Sequence, residues 1–318
     1  MEIHFAPLQG FTDMVYRNAH HRIFGGIDAY YTPFVRIEKE MAVRPRDKRD
    51  VCRGSDITGR LVPQLLTSDI KEFKYLVTLF IEEGYKRIDI NWGCPFPMIA
   101  KKGKGCGILP YPDKIKLILD EMKHFPEISF SVKLRLGYED VNDAFRLLPM
   151  LHDYPLHHIT LHARTGIQQY KGSPDKVAFA RFYESCKIPL LYNGDVCTIS
   201  DIRQINKDFP QLDGIMIGRG LIANPALGWE YKANRRMEIP ELYMKVALLH
   251  REIFDAYAVR LQGEHQLLSK MKSLWEYFFP TVERKLHKRI MKSPCITDYL
   301  KAVDELLSRQ MFGQIVFV

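Results

Sequence analysis

Eight short runs rich in β-forming residues recur at regular intervals, and this rhythm constrains the fold more than any other feature of the chain. The runs are residues 3–7 (IHFAP), 27–32 (IDAYYT), 60–66 (RLVPQLL), 87–91 (RIDIN), 130–136 (FSVKLRL), 158–163 (HITLHA), 188–193 (IPLLYN) and 213–218 (DGIMIG). Several are nearly continuous apolar stretches, as expected of parallel strands buried on both faces. Between them, residues 69–83 carry apolar side chains at helical spacing and end at Gly84, a residue suited to a helix stop. Residues 112–124, 141–152, 175–185 and 199–207 also read as helices, with Pro112 and Pro174 placed for helix starts. Eight strands alternating with helices predict a (β/α)8 TIM barrel. The competing doubly wound sheet announces itself with a G-x-G-x-x-G turn after its first strand. Here that position reads Gln9-Gly10-Phe11. After residue 236 the strand signals stop, and residues 244–261, 269–279 and 293–309 are amphipathic at helical spacing. The expected organisation is a catalytic barrel over 1–236 and a small all-helical domain over 237–318.

The formal net charge of +8 favours an anionic partner such as nucleic acid, although many basic proteins bind none. The N-terminus has no basic segment leading into an apolar one, and no run is long and apolar enough for a membrane span. The six cysteines form no C-x-x-C pair, and no His/Cys/Asp cluster has metal spacing. These features predict a reducing cytoplasm, no disulfide framework and no metal. No G-x-S-x-G or Walker motif appears.

In barrel enzymes the chemistry sits at the C-terminal ends of the strands. Applied here, the rule collects Ala6-Pro7, Gln64, Asn91 with Gly93-Cys94-Pro95, Lys133, Arg135, His162, Arg164, Asn193-Gly194-Asp195 and Gly218-Arg219 on one rim. The last two strands are the usual phosphate corner, and their glycine turns let backbone N–H groups approach an anion. The same glycines also suit plain tight turns. Lys133, between Val132 and Leu134, is costly to bury unless paired or functional, and otherwise extends to the barrel mouth. Cys94 lies in a Gly-Cys-Pro turn ahead of the lysine-rich stretch 101–107. It is either a proton donor at the rim or a small buried hydrophobe. Lys101, Lys102 and Lys104 push it toward thiolate, whereas donation to carbon requires the thiol.

The runs INWGCPFPMIAKKGKGCGIL, SVKLRLG, LHART, YNGDV and MIGRGLIANP, in this order, resemble the tRNA-dihydrouridine synthases over nearly the whole chain. The resemblance implies an FMN-containing barrel followed by a helical tRNA-binding domain. It implies reduction of selected tRNA uridines to 5,6-dihydrouridine with NADPH or NADH as reductant. Hydride passes from flavin N5 to C6 of the base, and Cys94 protonates C5. Pro7, Leu8 and Gln9 then line the flavin, and Gln64 and Asn91 contact its ring. Lys133 bonds the N1/O2 region and His162 lies beside it, while Asn193, Gly194, Asp195, Gly218 and Arg219 hold the ribityl phosphate. Arg135 and Arg164 are candidates for the uracil or its phosphate, and Lys285, Lys288 and Arg289 in the basic cluster 284–292 are candidates for tRNA. The basic stretch 44–50 is a second such cluster, equally readable as a solvated face. The chain departs from the pattern at Leu8, where many relatives carry methionine, and at Phe96 and Met98, which replace smaller or polar residues. The tail resembles relatives acting at position 16 of the D-loop, and a monomer is expected.

Overall fold

The structure, a computed structural model, describes residues 1–38, 41–52, 59–279 and 283–312. Nine parallel strands form the barrel wall: β1 (Glu2–Phe5), β2 (Ala29–Tyr31), β3 (Leu61–Val62), β4 (Gln64–Leu65), β5 (Arg87–Trp92), β6 (Ser129–Gly137), β7 (Ile159–Thr165), β8 (Leu190–Asn193) and β9 (Gly214–Ile217). Their order is β3-β2-β1-β9-β8-β7-β6-β5-β4. The two ends of that order, β3 and β4, are one path split by Pro63. Proline has no N–H to give a ladder, so the strand breaks there. Its carbonyl still accepts from Asp89 N at 3.0 Å. The nine labels therefore occupy the eight strand positions expected from the sequence.

The helices follow the same logic. The helix Ile70–Glu82 begins at Asp69, whose side chain accepts from Glu72 N, and it gives way to Gly84 at φ 79. Lys176–Ser185 is capped by Asp175 rather than opened by Pro174, because Asp175 can accept from Ala178 N. Alternation along the strands sends Ala6, Ala29, Tyr31, Val62 and Met216 inward, where they form a small apolar plug. Tyr31 joins that plug to a polar layer at the N-terminal end, where its hydroxyl lies 3.0 Å from His4 Nδ1 and 3.2 Å from His158 Nε2.

The C-terminal part is helical, with Ile239–Arg260, Glu264–Leu274, Arg284–Lys292 and Ile296–Phe312. The helix expected over 269–279 starts earlier and ends at Leu274. The chain then turns back to the barrel, and Phe279, at φ 47, donates its N–H to Ala223 O. The basic cluster 284–292 is itself an amphipathic helix whose Leu286 and Ile290 face the core. Apolar residues of barrel and tail belong to one continuous core. Asp13 ties the parts together: it caps the helix Met14–Ile23 through Tyr16 N and accepts from Tyr257 Oη at 2.6 Å.

Inside the tail, Tyr299 Oη accepts from Trp275 Nε1 at 2.9 Å and lies 2.7 Å from His250 Nε2, all three residues being buried. Tyr299→Phe leaves two buried nitrogens without that partner. We expect it to lower unfolding free energy by about 1–3 kcal/mol, read as a lower urea midpoint; an unchanged midpoint would show that this contact contributes nothing.

Candidate active site

The C-terminal strand ends surround a cavity of about 550 Å³, within the size range of cofactor and substrate sites. Pro7, Leu8, Gln9, Asn91, Cys94, Lys133, Arg135, His162, Asn193, Gly194, Asp195, Gly218 and Arg219 line it. The expected rim residues are thus brought together, apart from Gln64 and Arg164. Gln64 is fully buried, with its amide bonded to Asp89 and Asn91. Arg164 is almost fully buried beside the cavity and forms a bidentate pair with Asp195, at 3.0 and 2.5 Å. It also donates to Gly172 O, so both of its terminal nitrogens are committed to the protein. Lys285, Lys288 and Arg289 lie on the tail helix, outside the residues lining the cavity; Arg289 pairs with Glu305.

The turn that carries Cys94 is held from several sides. Asn91 Oδ1 accepts from Gly93 N at 3.0 Å and Cys94 N at 2.8 Å. Arg135 Nε donates to Gly93 O at 2.9 Å, and its Nη1 donates to Thr165 O and Gln169 O. Cys106 N donates to Cys94 O at 3.1 Å. Gly105 sits against this turn at φ 59, and a Cβ there would meet Cys94 O at 2.6 Å. Cys106 is itself buried, and burial pushes its thiol up to about 12, which leaves it a packing residue.

The protonation of Cys94 is decided by burial. Desolvation pushes its thiol up, ahead of the opposing pull from Phe96 N–H, Arg135, Lys133 and Arg36. None of the three loop lysines is among these influences. Lys104 is paired with Glu72 at 2.7 Å, and Lys101 and Lys102 are exposed. The thiol therefore keeps its proton, as an acid must.

The other lining groups make the cavity cationic. Lys133 donates to Asn193 Oδ1 at 2.8 Å and has no carboxylate partner there; burial, then Arg135, pulls it down to about 8. Desolvation, then Arg135, Lys133, Arg164 and Arg219, keeps His162 neutral. Arg164 Nη1 lies 3.3 Å from His162 Nε2. Arginine only donates, so Nε2 accepts and the ring proton sits on Nδ1, which stays a donor. Asp195, at φ 41 after Gly194 at φ 149, is neutralised by Arg164 and Arg219. An uncompensated lysine, a neutral histidine donor and a strained glycine turn fit an anionic, ring-bearing cofactor such as FMN. Lys133 would hold its ring, and Gly194 and Gly218 its phosphate.

Some lining residues were not anticipated. Phe34 and Tyr170 come from loops, and Arg219 lies 4.5 Å from the Tyr170 ring centroid. Glu276 and Tyr277 come from the tail. No sequence signal marks these two, because the helix expected over 269–279 hid the turn that delivers them. Among the described residues no cluster of three metal-ligating groups occurs, and no helix is long and apolar enough to cross a membrane.

Fold and cavity define a barrel enzyme with an anion-accepting mouth and a protonated thiol at its rim. The dihydrouridine synthase family model (Dus) matches residues 4–293, and the chain belongs to that family. It is 29% identical to the tRNA-dihydrouridine(16) synthase of Pseudomonas syringae pv. tomato, over 82% of this chain and 84% of that protein. It is 31% identical to the synthase of the same name from Pseudomonas putida, over 74% of each. Among solved structures, morphinone reductase matches with a TM-score of 0.54 over 75% of this chain and 87% of its own, at 12% identity, a likeness of fold alone.

The raised thiol sets a pH dependence. Alkylation needs thiolate, so the rate at Cys94 is expected to be slow at pH 7 and still climbing beyond its ordinary value of 9. Peptide-resolved mass spectrometry of iodoacetamide labelling reads this; a plateau below pH 8 would mean that the neighbouring cations, not burial, control the thiol.

Proposed function

We propose that the protein reduces uridine in tRNA to 5,6-dihydrouridine, at position 16, with FMN in the cavity and NADPH or NADH as reductant. The observation that carries this reading is a protonated Cys94 lining one cavity with Lys133 and neutral His162. Bound FMN supplies the hydride. The protein's part is orientation, electrostatics and a proton. Pro7, Leu8, Gln9 and Asn91 would line the ring, Lys133 would offer its ammonium to the ring's negative edge, and His162 would offer Nδ1–H. Backbone N–H groups of Gly194, Asp195, Gly218 and Arg219 would hold the phosphate, while the Asp195 side chain braces that corner. Cys94 delivers its proton to C5 of the base and recovers it from solvent.

Arg164 takes a different part from the one the resemblance suggests. Arg135 clamps the Cys94 turn while lining the cavity, where it stays a candidate for the uracil, and Arg164 braces Asp195 and His162 behind it. The target uridine must leave its stack to reach the cavity, which a loop nucleotide does more cheaply than a duplex one. The tail helix Arg284–Lys292 offers Lys285, Lys288 and Arg289 to tRNA phosphates. The relatives named for position 16 support that position. We place the protein in the cytoplasm as a monomer.

Cys94→Ala is expected to retain bound flavin and nicotinamide oxidation but to lose dihydrouridine formation by at least about 100-fold, the lower range for a general acid. Full retention of product would remove Cys94 from the mechanism. Replacing Lys285, Lys288 and Arg289 together by glutamine is expected to weaken tRNA binding and reduce its salt slope by about 0.7–0.9 per lost phosphate contact. An unchanged slope rules this helix out. Mapping dihydrouridine in tRNA from a strain lacking the protein tests the position: loss anywhere but 16 overturns that assignment.

A further inference from the structure

Beneath the cavity floor lies a hydrogen-bonded chain that runs from Asp89 through Gln64 and Asn91 to the Cys94 turn. Ser131 Oγ donates to Asp89 Oδ1 at 2.6 Å, and Gln64 Nε2 donates to Asp89 Oδ2 at 2.7 Å. Asn91 Nδ2 donates to Gln64 Oε1 at 2.7 Å, and Asn91 Oδ1 accepts from Gly93 N and Cys94 N. Strand register sets the pieces side by side, with Gln64 opposite Asp89 and Asp89 opposite Ser131. All four side chains are buried, and Asp89 and Gln64 are fully so. Neither of those two lines the cavity.

We propose that Asp89 is a positioning residue that fixes, through Gln64 and Asn91, the turn presenting Cys94. The two backbone N–H groups oblige Asn91 to point its oxygen at them; reversed, its NH₂ would face two donors. Its NH₂ then requires an acceptor, which obliges Gln64 to point its oxygen toward Asn91. The Gln64 NH₂ in turn requires an acceptor, and the Asp89 carboxylate provides it. A buried polar group left without a partner costs enough to move the turn, so an error at Asp89 is carried to Cys94, three links away. The catalytic meaning of this chain rests on the reading of Cys94 as proton donor, but its geometry does not.

The test is an exchange of polarity. Gln64→Glu sets a second carboxyl against Asp89, where the link survives only through a shared proton, and Gln64→Leu removes it outright. In Q64E/D89N the chain closes again: the new carboxylate at 64 accepts from Asn91 and from the new amide at 89, whose oxygen accepts from Ser131. The readout is the alkylation rate of Cys94 by iodoacetamide in the purified full chain, without tRNA or reductant, followed on the Cys94 peptide. Q64E is expected to change that rate by about tenfold, the factor one buried hydrogen bond carries, and Q64E/D89N to return it to within about twofold of the parent. A parental rate in Q64L, which cannot share a proton with Asp89, or a double variant no nearer the parent than a shifted Q64E, overturns the proposal. Q64L breaks the same link without a second carboxyl, whatever the protonation of Asp89; a shifted rate there supports the chain, and a parental rate overturns it. Since the readout is the thiol itself, this outcome is separate from whether Cys94 protonates uridine.

Discussion

The turn that carries Cys94 depends on one requirement, that the polar groups beneath it be paired. Barrel interiors are packed cores, and an unpartnered donor or acceptor there costs as much as the methyl contacts around it contribute. Asp89 shows the tension most clearly. Burial pushes its carboxyl up to about 7, while Ser131 and Gln64 pull it back down. The carboxyl stays because the groups above it need an acceptor. Asn91 and Arg135 extend the same pairing to the rim, where they fix the Gly93 peptide from its two ends. The rim geometry is thus inherited from the interior rather than from the loops.

Electrostatics completes what hydrogen bonding begins. The cavity collects Lys133, Arg135 and Arg219, with Arg164 directly behind; of its two lining carboxylates, Asp195 is already satisfied by two arginines and Glu276 comes from the tail. Burial, then these cations, hold His162 neutral, and the cations suit an anion from outside the chain. At Cys94 burial works against those cations, raising the thiol. One small space thereby keeps a cationic wall and a protonated acid together, which neither effect alone provides.

Much of this was legible in the sequence. Eight apolar runs gave the barrel because parallel strands buried on both faces leave that pattern, and polar residues at their C-terminal ends gave the rim. Cys94 was ambiguous by itself, and the conflict with Lys101, Lys102 and Lys104 depended on where those lysines point. Only three dimensions show Lys104 turned to Glu72. Arg164 and Arg135 look equally available in a strand, since alternation tells which face they share but not which carbonyl or carboxylate consumes them. Gln64 carries no mark of lying beneath the cavity. The helices Met14–Ile23 and Arg284–Lys292 were missed. In the second, charge conceals the short apolar stripe of Leu286 and Ile290.

The turn after Leu274 has a consequence for the protein's modularity. By sending Glu276 and Tyr277 back over the strand ends, it makes the tail part of the cavity wall, and apolar residues of both parts share one core. A tail exchanged with a relative's would alter the shape of the reaction chamber as well as the surface offered to RNA. The tail is therefore not a separable cassette, and any drift in it is felt as a change of fit at the cavity.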